Sequence, residues 1–204
     1  MVSILCFDIT QLNDEHWAAL YHSASPERKA RADRYRNIED GRRCLAAEAL
    51  LRYALGTTAY TIEKNPQGKP RIAGREDFHY NLSHAGNWVV IAYCSEEVGI
   101  DIEKISWNNG KERLARRFFT KNEQDYVFQA DARQPQRFFQ IWTGKESYLK
   151  FLGTGLSKAL DSFDVLTMED PTCRLIPFAK GYSMSLCSRE EDYTLTYLAS
   201  EQLV

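Results

Sequence analysis

The chain has no long apolar run, no excess of charge and no sulfur or nitrogen cluster of the kind that binds zinc. Its start, MVSILCFDITQLNDEHW, holds one short apolar stretch broken by Asp8 and no basic flank. That reads as neither a signal peptide nor a spanning segment, so a cytoplasmic protein is expected. Histidine is scarce at four residues, and the five cysteines, Cys6, Cys44, Cys94, Cys173 and Cys187, are scattered without a C-x-x-C pair or histidines at ligand spacing. They read as reduced packing residues. With 26 Lys plus Arg against 28 Asp plus Glu the formal charge is −2, which excludes a global attraction to nucleic acid or anionic membrane. Any basic site must be local. Low-complexity segments and a G-x-S-x-G nucleophile turn are also missing.

What is there is ordinary globular material: 204 residues, 44% hydrophobic and 26% charged. Folding at this length buries roughly 70% of the unfolded surface without disulfides or metals. Residues 2–9 read as a strand, and Asn13 caps a short helical pattern. Ser25-Pro26-Glu27 opens a long helix running to Leu55, ended by Gly56 and with Gly41 as a candidate interruption. YTIEKNPQGKPRI then reads as two extended pieces around a turn, and residues 78–105 as two or three strands. SWNNGKERL is a polar joint. Helices return up to KFL, with Gly153 and Gly155 ending the last, and SFDVLT, RLIPFAKGYSMSLCS and YTLTYLA read as closing strands. The class is α/β of the α+β kind, and helices followed by strands occur twice without an obvious sequence repeat.

Asp101 and Glu103 stand at i and i+2 after an apolar run, so a persisting strand projects both carboxylates from one face. Glu146 is a third acid on a helix, and none of the three has histidine or cysteine company. Oxygen ligands alone suit a hard cation such as Mg²⁺. D-x-E by itself fits an exposed strand end better than a metal site. Glu146 and Lys150 have the i,i+4 spacing of a surface ion pair worth about 0.3–0.5 kcal/mol. Gly153 and Gly155 after that lysine suit a close backbone approach to a ligand, or plain helix caps. Trp142 reads as a packing anchor. From Glu27 to Arg43 seven basic residues face four acidic ones, and Arg28 and Arg31 share a helix face. Such a cluster can hold phosphate through guanidinium forks, or be a solvated face. Gly68-Lys69-Pro70 puts a lysine on a rigid turn. Ser83 and His84 are neighbours on a strand and face opposite ways, which makes them a poor nucleophile and base pair.

NLSHAGNWVVIAY, GIDIEKI, FFTKNE and IWTGKESYLKFLGTGL occur in the order and spacing of the Sfp-type 4′-phosphopantetheinyl transferases, and the chain resembles that family over most of its length. The resemblance implies a pseudo-twofold pair of lobes, 1–104 and 105–204, with coenzyme A between them. It implies transfer of the phosphopantetheine arm of coenzyme A to a serine of an apo acyl or peptidyl carrier protein, with release of adenosine 3′,5′-bisphosphate. Carried over, Asp101, Glu103 and Glu146 are the Mg²⁺ ligands and Lys150 the lysine beside the pyrophosphate, with Glu146 also the candidate proton acceptor. Arg28, Arg31, Arg43, Lys69, Ser83 and His84 are the coenzyme A contacts. Arg28 and Arg31 stand where lysines are common, Ala85 where a second serine is usual, and Gly144 lies inside the W-x-x-K-E helix, at a propensity cost of up to about 1 kcal/mol. Carrier docking is expected along residues 105–123, and a monomer that binds no nucleic acid or membrane is expected.

Two other functions use the same residues. A Mg²⁺-dependent nucleotide pyrophosphate hydrolase needs similar charges, but the dense helical glutamate array of Nudix hydrolases is missing. An RNA- or partner-binding module would draw on residues 28–43 alone and leave three separated carboxylates without a role.

Overall fold

The computed structural model describes residues 1–204, apart from the side chain of Leu156, so the leucine that closes the GTGL motif lies outside the described side chains. The chain opens with strand β1 (Val2–Asp8) and helices α1 (Asp14–Ser23), α2 (Pro26–Ala32) and α3 (Ile38–Leu55). A small hairpin, β2 (Ile62–Lys64) and β3 (Pro70–Ile72), carries the Gly-Lys-Pro turn, and a longer one follows, β4 (His79–Ala85) and β5 (Trp88–Cys94). The same order then recurs: β6 (Val98–Lys104), helices α4 (Asn109–Phe118), α5 (Lys121–Val127) and α6 (Gln134–Leu152), and the hairpin β7 (Thr172–Ile176) and β8 (Tyr182–Ser188). Strand β9 (Tyr193–Tyr197) closes the series.

The first sheet has the order β4-β5-β1-β9 and the second β6-β8-β7. In each half the first strand pairs antiparallel with the second strand of the hairpin, β1 with β5 and β6 with β8. The architecture is mixed α/β with one connectivity used twice. Strand pairing crosses residue 104 on both sides: β6 belongs to a sheet completed by later residues, and β9 returns to run parallel to β1. Alternation divides β1 between two cores. Leu5 and Phe7 meet Leu50 and Leu51 of α3, whereas Ile4 and Cys6 meet Ile100, Met184 and Leu186 of the second sheet. A third, aromatic core of Phe119, Phe138 and Phe139 lies under α4 to α6, with Trp142 stacked on Phe138.

Two expectations change. The helix from Ser25 to Leu55 is two helices, because Ser25 caps α2 and Asn37 caps α3 by accepting the Glu39 N–H at 2.9 Å. Gly41 lies within α3 instead of interrupting it, and a Cβ there would fall 3.3 Å from the Ala32 carbonyl oxygen, so the glycine lets α2 pack close. SFDVLT is a 3₁₀ turn and loop instead of a strand, because side chains take its backbone groups: Lys145 takes the Leu160 and Phe163 carbonyls, Glu123 the Val165 N–H and Asp164 the Leu166 N–H. The remaining tail strands, the Asn13 cap and the end of α6 at Gly153 are as expected. All five cysteines are free, four of them buried. Among the described residues no helix is long and apolar enough to cross a membrane.

Candidate active site

The edges of the two sheets meet along β4 and β6, and side chains make the joint. Asn81 Oδ1 accepts the Ile100 N–H at 2.9 Å and Ser83 Oγ accepts the Ile102 N–H at 3.3 Å. Asn81 and Ser83 face β6 because they stand two apart on a strand, which turns Leu82 and exposed His84 the other way. From the far side α6 lies directly on β6. A Cβ at Gly99 would sit 2.0 Å from the Ser147 carbonyl oxygen, so the glycine that opens G-x-D-x-E is what lets the helix reach the strand.

Lys150 of α6 reaches into this joint, donating to Asp101 Oδ1 at 2.6 Å, Ser83 Oγ at 3.0 Å and the Ile100 carbonyl at 3.2 Å. Ser83 in turn donates to Asp101 Oδ1 at 2.9 Å. Asp101 is buried, and its Oδ2 is enclosed with no hydrogen-bond partner. Glu103 and Glu146 are half-buried. Burial first, and then the charge of Asp101, raise the pKa of both, against the opposing pull of Lys150. Oxygen donors of this kind suit a hard divalent cation. As they stand, no three acidic, histidine or cysteine side chains among the described residues converge closely enough to grip one. The i,i+4 pair of Glu146 with Lys150 is also replaced, since the ammonium turns to buried Asp101.

A cleft of about 280 Å³ opens beside the joint, between the Gln67–Pro70 turn, Asn81 and the flank of α6 that carries Glu146, Leu149 and Lys150. Lys69 lines it, but its ammonium is not available to a ligand. It donates to Glu97 at 2.5 Å, the Phe151 carbonyl at 2.9 Å and the Val98 carbonyl at 3.2 Å, tying the turn to the end of α6. Arg43 is likewise engaged, on Asp40 and on the Gly86 carbonyl at 2.5 Å, fastening α3 to the turn between β4 and β5. Both are expected coenzyme A contacts, and here the charged group of each is engaged by protein partners. Arg31 is exposed, and half-buried Arg28 reaches only the Cys44 sulfur, at 3.8 Å. Partial enclosure, then the charges of Arg43 and Lys150, lower the His84 pKa, which marks a positive rim at the exposed end of β4.

Two residues of this arrangement escaped the reading of the sequence. Asn81 had a signal, its i,i+2 spacing to Ser83. Gly99 had none, since only the packed helix shows why a side chain is excluded there.

Two family models tile the chain: "4′-phosphopantetheinyl transferase, N-terminal" over residues 11–96 and "4′-phosphopantetheinyl transferase superfamily" over residues 97–198. Their junction falls just ahead of β6. The chain is 34% identical to the 4′-phosphopantetheinyl transferase psf-1 of Bacillus pumilus, over 93% of this chain and 91% of that protein. It is 33% identical to the 4′-phosphopantetheinyl transferase Sfp of Bacillus subtilis (88% and 89%), and 35% identical to the transferase gsp of Aneurinibacillus migulanus (80% and 70%). Matched from residue 11 to residue 198 by models of one kind, and over most of its length by relatives, the chain belongs to the 4′-phosphopantetheinyl transferase superfamily, enzymes that move the phosphopantetheine group of coenzyme A onto carrier proteins.

Proposed function

We propose that the transfer takes place at the joint between β4 and β6, onto a serine of an apo acyl, peptidyl or related carrier protein, with adenosine 3′,5′-bisphosphate released. Buried Asp101 carries this reading: Lys150 and Ser83 hold its Oδ1 while Oδ2 has no partner. An enclosed carboxylate oxygen left unmet costs stability unless a working ligand fills it. Asp101, Glu103 and Glu146 fit Mg²⁺ by donor chemistry, and they are the residues that would hold it. Bound there, the ion would supply neutralising charge to the pyrophosphate as the bisphosphate leaves.

Glu146 is assigned to accept the serine proton. Lys150 remains partly exposed toward the cleft and is assigned to the pyrophosphate. Arg28 and Arg31 are assigned to the ribose 3′-phosphate and His84 to the positive rim. Ser83, Arg43 and Lys69 are assigned to shaping the coenzyme A pocket. The carrier is assigned to a groove of about 430 Å³ on α4, where Lys111, Arg113 and Arg117 stand beside Leu114 and Phe118. Positive charge next to apolar surface suits the acidic carriers of this family, and attraction there acts mainly on association rate. The repeated connectivity supports two pseudo-twofold lobes with coenzyme A between them, and because the second repeat opens at β6 it favours a division near residue 97 over one at residues 104 and 105. The five free cysteines suit a reducing, cytoplasmic monomer.

The test is incubation with coenzyme A, Mg²⁺ and a panel of apo carrier proteins, read by mass spectrometry. One phosphopantetheine added to the carrier serine is expected. Cleavage of coenzyme A at equal rate without any carrier would instead identify a pyrophosphate hydrolase.

A further inference from the structure

Helix α6 turns Glu146 and Lys150 toward the cleft, while its opposite flank is held by groups the transfer does not use. Lys145, the residue before Glu146, is fully enclosed and pairs at 2.8 Å with Glu123, which is equally enclosed. An ammonium has three hydrogens, and here each has a partner: Glu123 Oε2, the Leu160 carbonyl at 2.7 Å and the Phe163 carbonyl at 2.7 Å. Glu123 is as fully used. Its Oε2 also accepts the Thr120 N–H at 2.8 Å, and its Oε1 accepts the Val165 N–H at 2.9 Å. One buried pair thus fastens three pieces of chain, namely α6, the start of α5 and the loop 160–165. Apolar packing follows the same lines. Val165 lies against Gly144, where a Cβ would come within 3.2 Å of Val165 Cγ2, and the Lys145 ammonium stands 4.4 Å over the Phe163 ring.

We propose that the Lys145–Glu123 pair, acting through the loop 160–165, is a positioning device that clamps α6 onto β6 and fixes Glu146 and Lys150 over Asp101. The inference rests on the catalytic reading of Glu146 given above. On the sheet side α6 has no slack, since its backbone already touches Gly99 and the Thr143 hydroxyl is bonded to Ser185 at 2.8 Å. The clamp closes the other side. Any slide or rotation that breaks the bonds of Lys145 carries the adjacent Glu146 with it, and a misplacement of about 1 Å can cost on the order of 100-fold in rate. An apolar pair of similar volume would serve stability about as well as a buried ion pair. It would lack the fixed directions of the bonds from Lys145 and to Glu123.

Lys145→Met alone strands a buried glutamate, so the test uses Lys145→Met with Glu123→Gln, which removes both charges, and separately Val165→Ala, which loosens the clamp without touching charge. In both, the expected result is a folded protein with KM for coenzyme A within about twofold of the parent, so that the loss falls on kcat. That loss should be about 10- to 100-fold in the double variant and severalfold in Val165→Ala. Amide hydrogen exchange along α6 should quicken in both. Parental kcat in the folded double variant, or in Val165→Ala if the double variant does not fold, overturns the proposal. So does a fall in melting temperature with kcat unchanged at a temperature well below it, which would leave the pair a stabilising staple. Should the parent enzyme modify no carrier, the catalytic reading has failed, and exchange along α6 still decides the clamp: unchanged protection overturns it.

Discussion

Ser83 is where direct contact with coenzyme A and support of the joint predict different outcomes. Its hydroxyl has one hydrogen and two lone pairs, and all are used: it donates to Asp101 and accepts from Lys150 and the Ile102 N–H. Ser83→Ala leaves Lys150 and Asp101 with each other at 2.6 Å, so the loss on that side is that of a modest bond, about 0.5–1.5 kcal/mol. The Ile102 N–H, enclosed between the sheets, loses its acceptor outright at about 1–3 kcal/mol. A total of roughly 1.5–4.5 kcal/mol, at about 2–4 °C for each in a protein of this size, lowers the melting temperature by roughly 3–18 °C. Coenzyme A affinity should change little, by less than about threefold, because the hydroxyl has no valence left for the ligand. Thermal unfolding followed by circular dichroism, with calorimetric titration of coenzyme A into both proteins, measures the two numbers. Unchanged melting together with tenfold or greater weakening of coenzyme A would refute the reasoning and place the hydroxyl on the ligand, with the joint held by other means.

Asp101→Ala, Glu103→Gln and Glu146→Gln should each reduce transfer strongly with the fold retained, and excess chelator should stop the parent enzyme; full turnover in chelator rejects the metal assignment. Arg28→Ala with Arg31→Ala should weaken coenzyme A by about 1.5–3 kcal/mol, and dephospho-coenzyme A much less. Equal losses for the two ligands in calorimetry would show that the pair serves something other than the 3′-phosphate. For the carrier, Arg113→Glu with Arg117→Glu should raise KM for carrier protein, most at low salt, and leave coenzyme A affinity unchanged. Arg116 is not the residue to reverse, since it is paired with Glu112 at 2.8 Å. Unchanged carrier kinetics at low salt in the folded double variant would rule out the α4 groove.

Much of the fold was legible because it follows local rules. The α1 cap at Asn13, the left-handed glycine that ends α6 and the period-two strands around Asp101 are decisions made within a few residues. The misread stretches are those where a distant side chain decides. SFDVLT has the composition of a strand, but its carbonyls and N–H groups are claimed by Lys145 and Glu123 from other elements. The break between α2 and α3 depends on Asn37 winning as a cap within a run whose composition favours helix throughout.

The candidate site divides along a different line. Residue type and spacing found the three carboxylates and the cations around them, because only the strand period and the helix turn were needed. Whether a cation is free for a ligand is not a property of its neighbours in sequence. Lys69, Lys145 and Lys150 each stand next to glycine, glutamate or a helix end, yet Lys69 and Lys145 are wholly consumed by carbonyls and by Glu97 and Glu123. Lys150 shares Asp101 with Ser83 but keeps a partly exposed flank on the cleft. Burying an ammonium is costly unless every hydrogen is met, so the two enclosed lysines had to be built into the walls. Lys150 also has three partners, Asp101, Ser83 and the Ile100 carbonyl, but being partly exposed beside the cleft it can exchange one of them for water or a ligand. Its loss should therefore act on transfer more than on folding, whereas loss of Lys69 or Lys145 strikes the scaffold first.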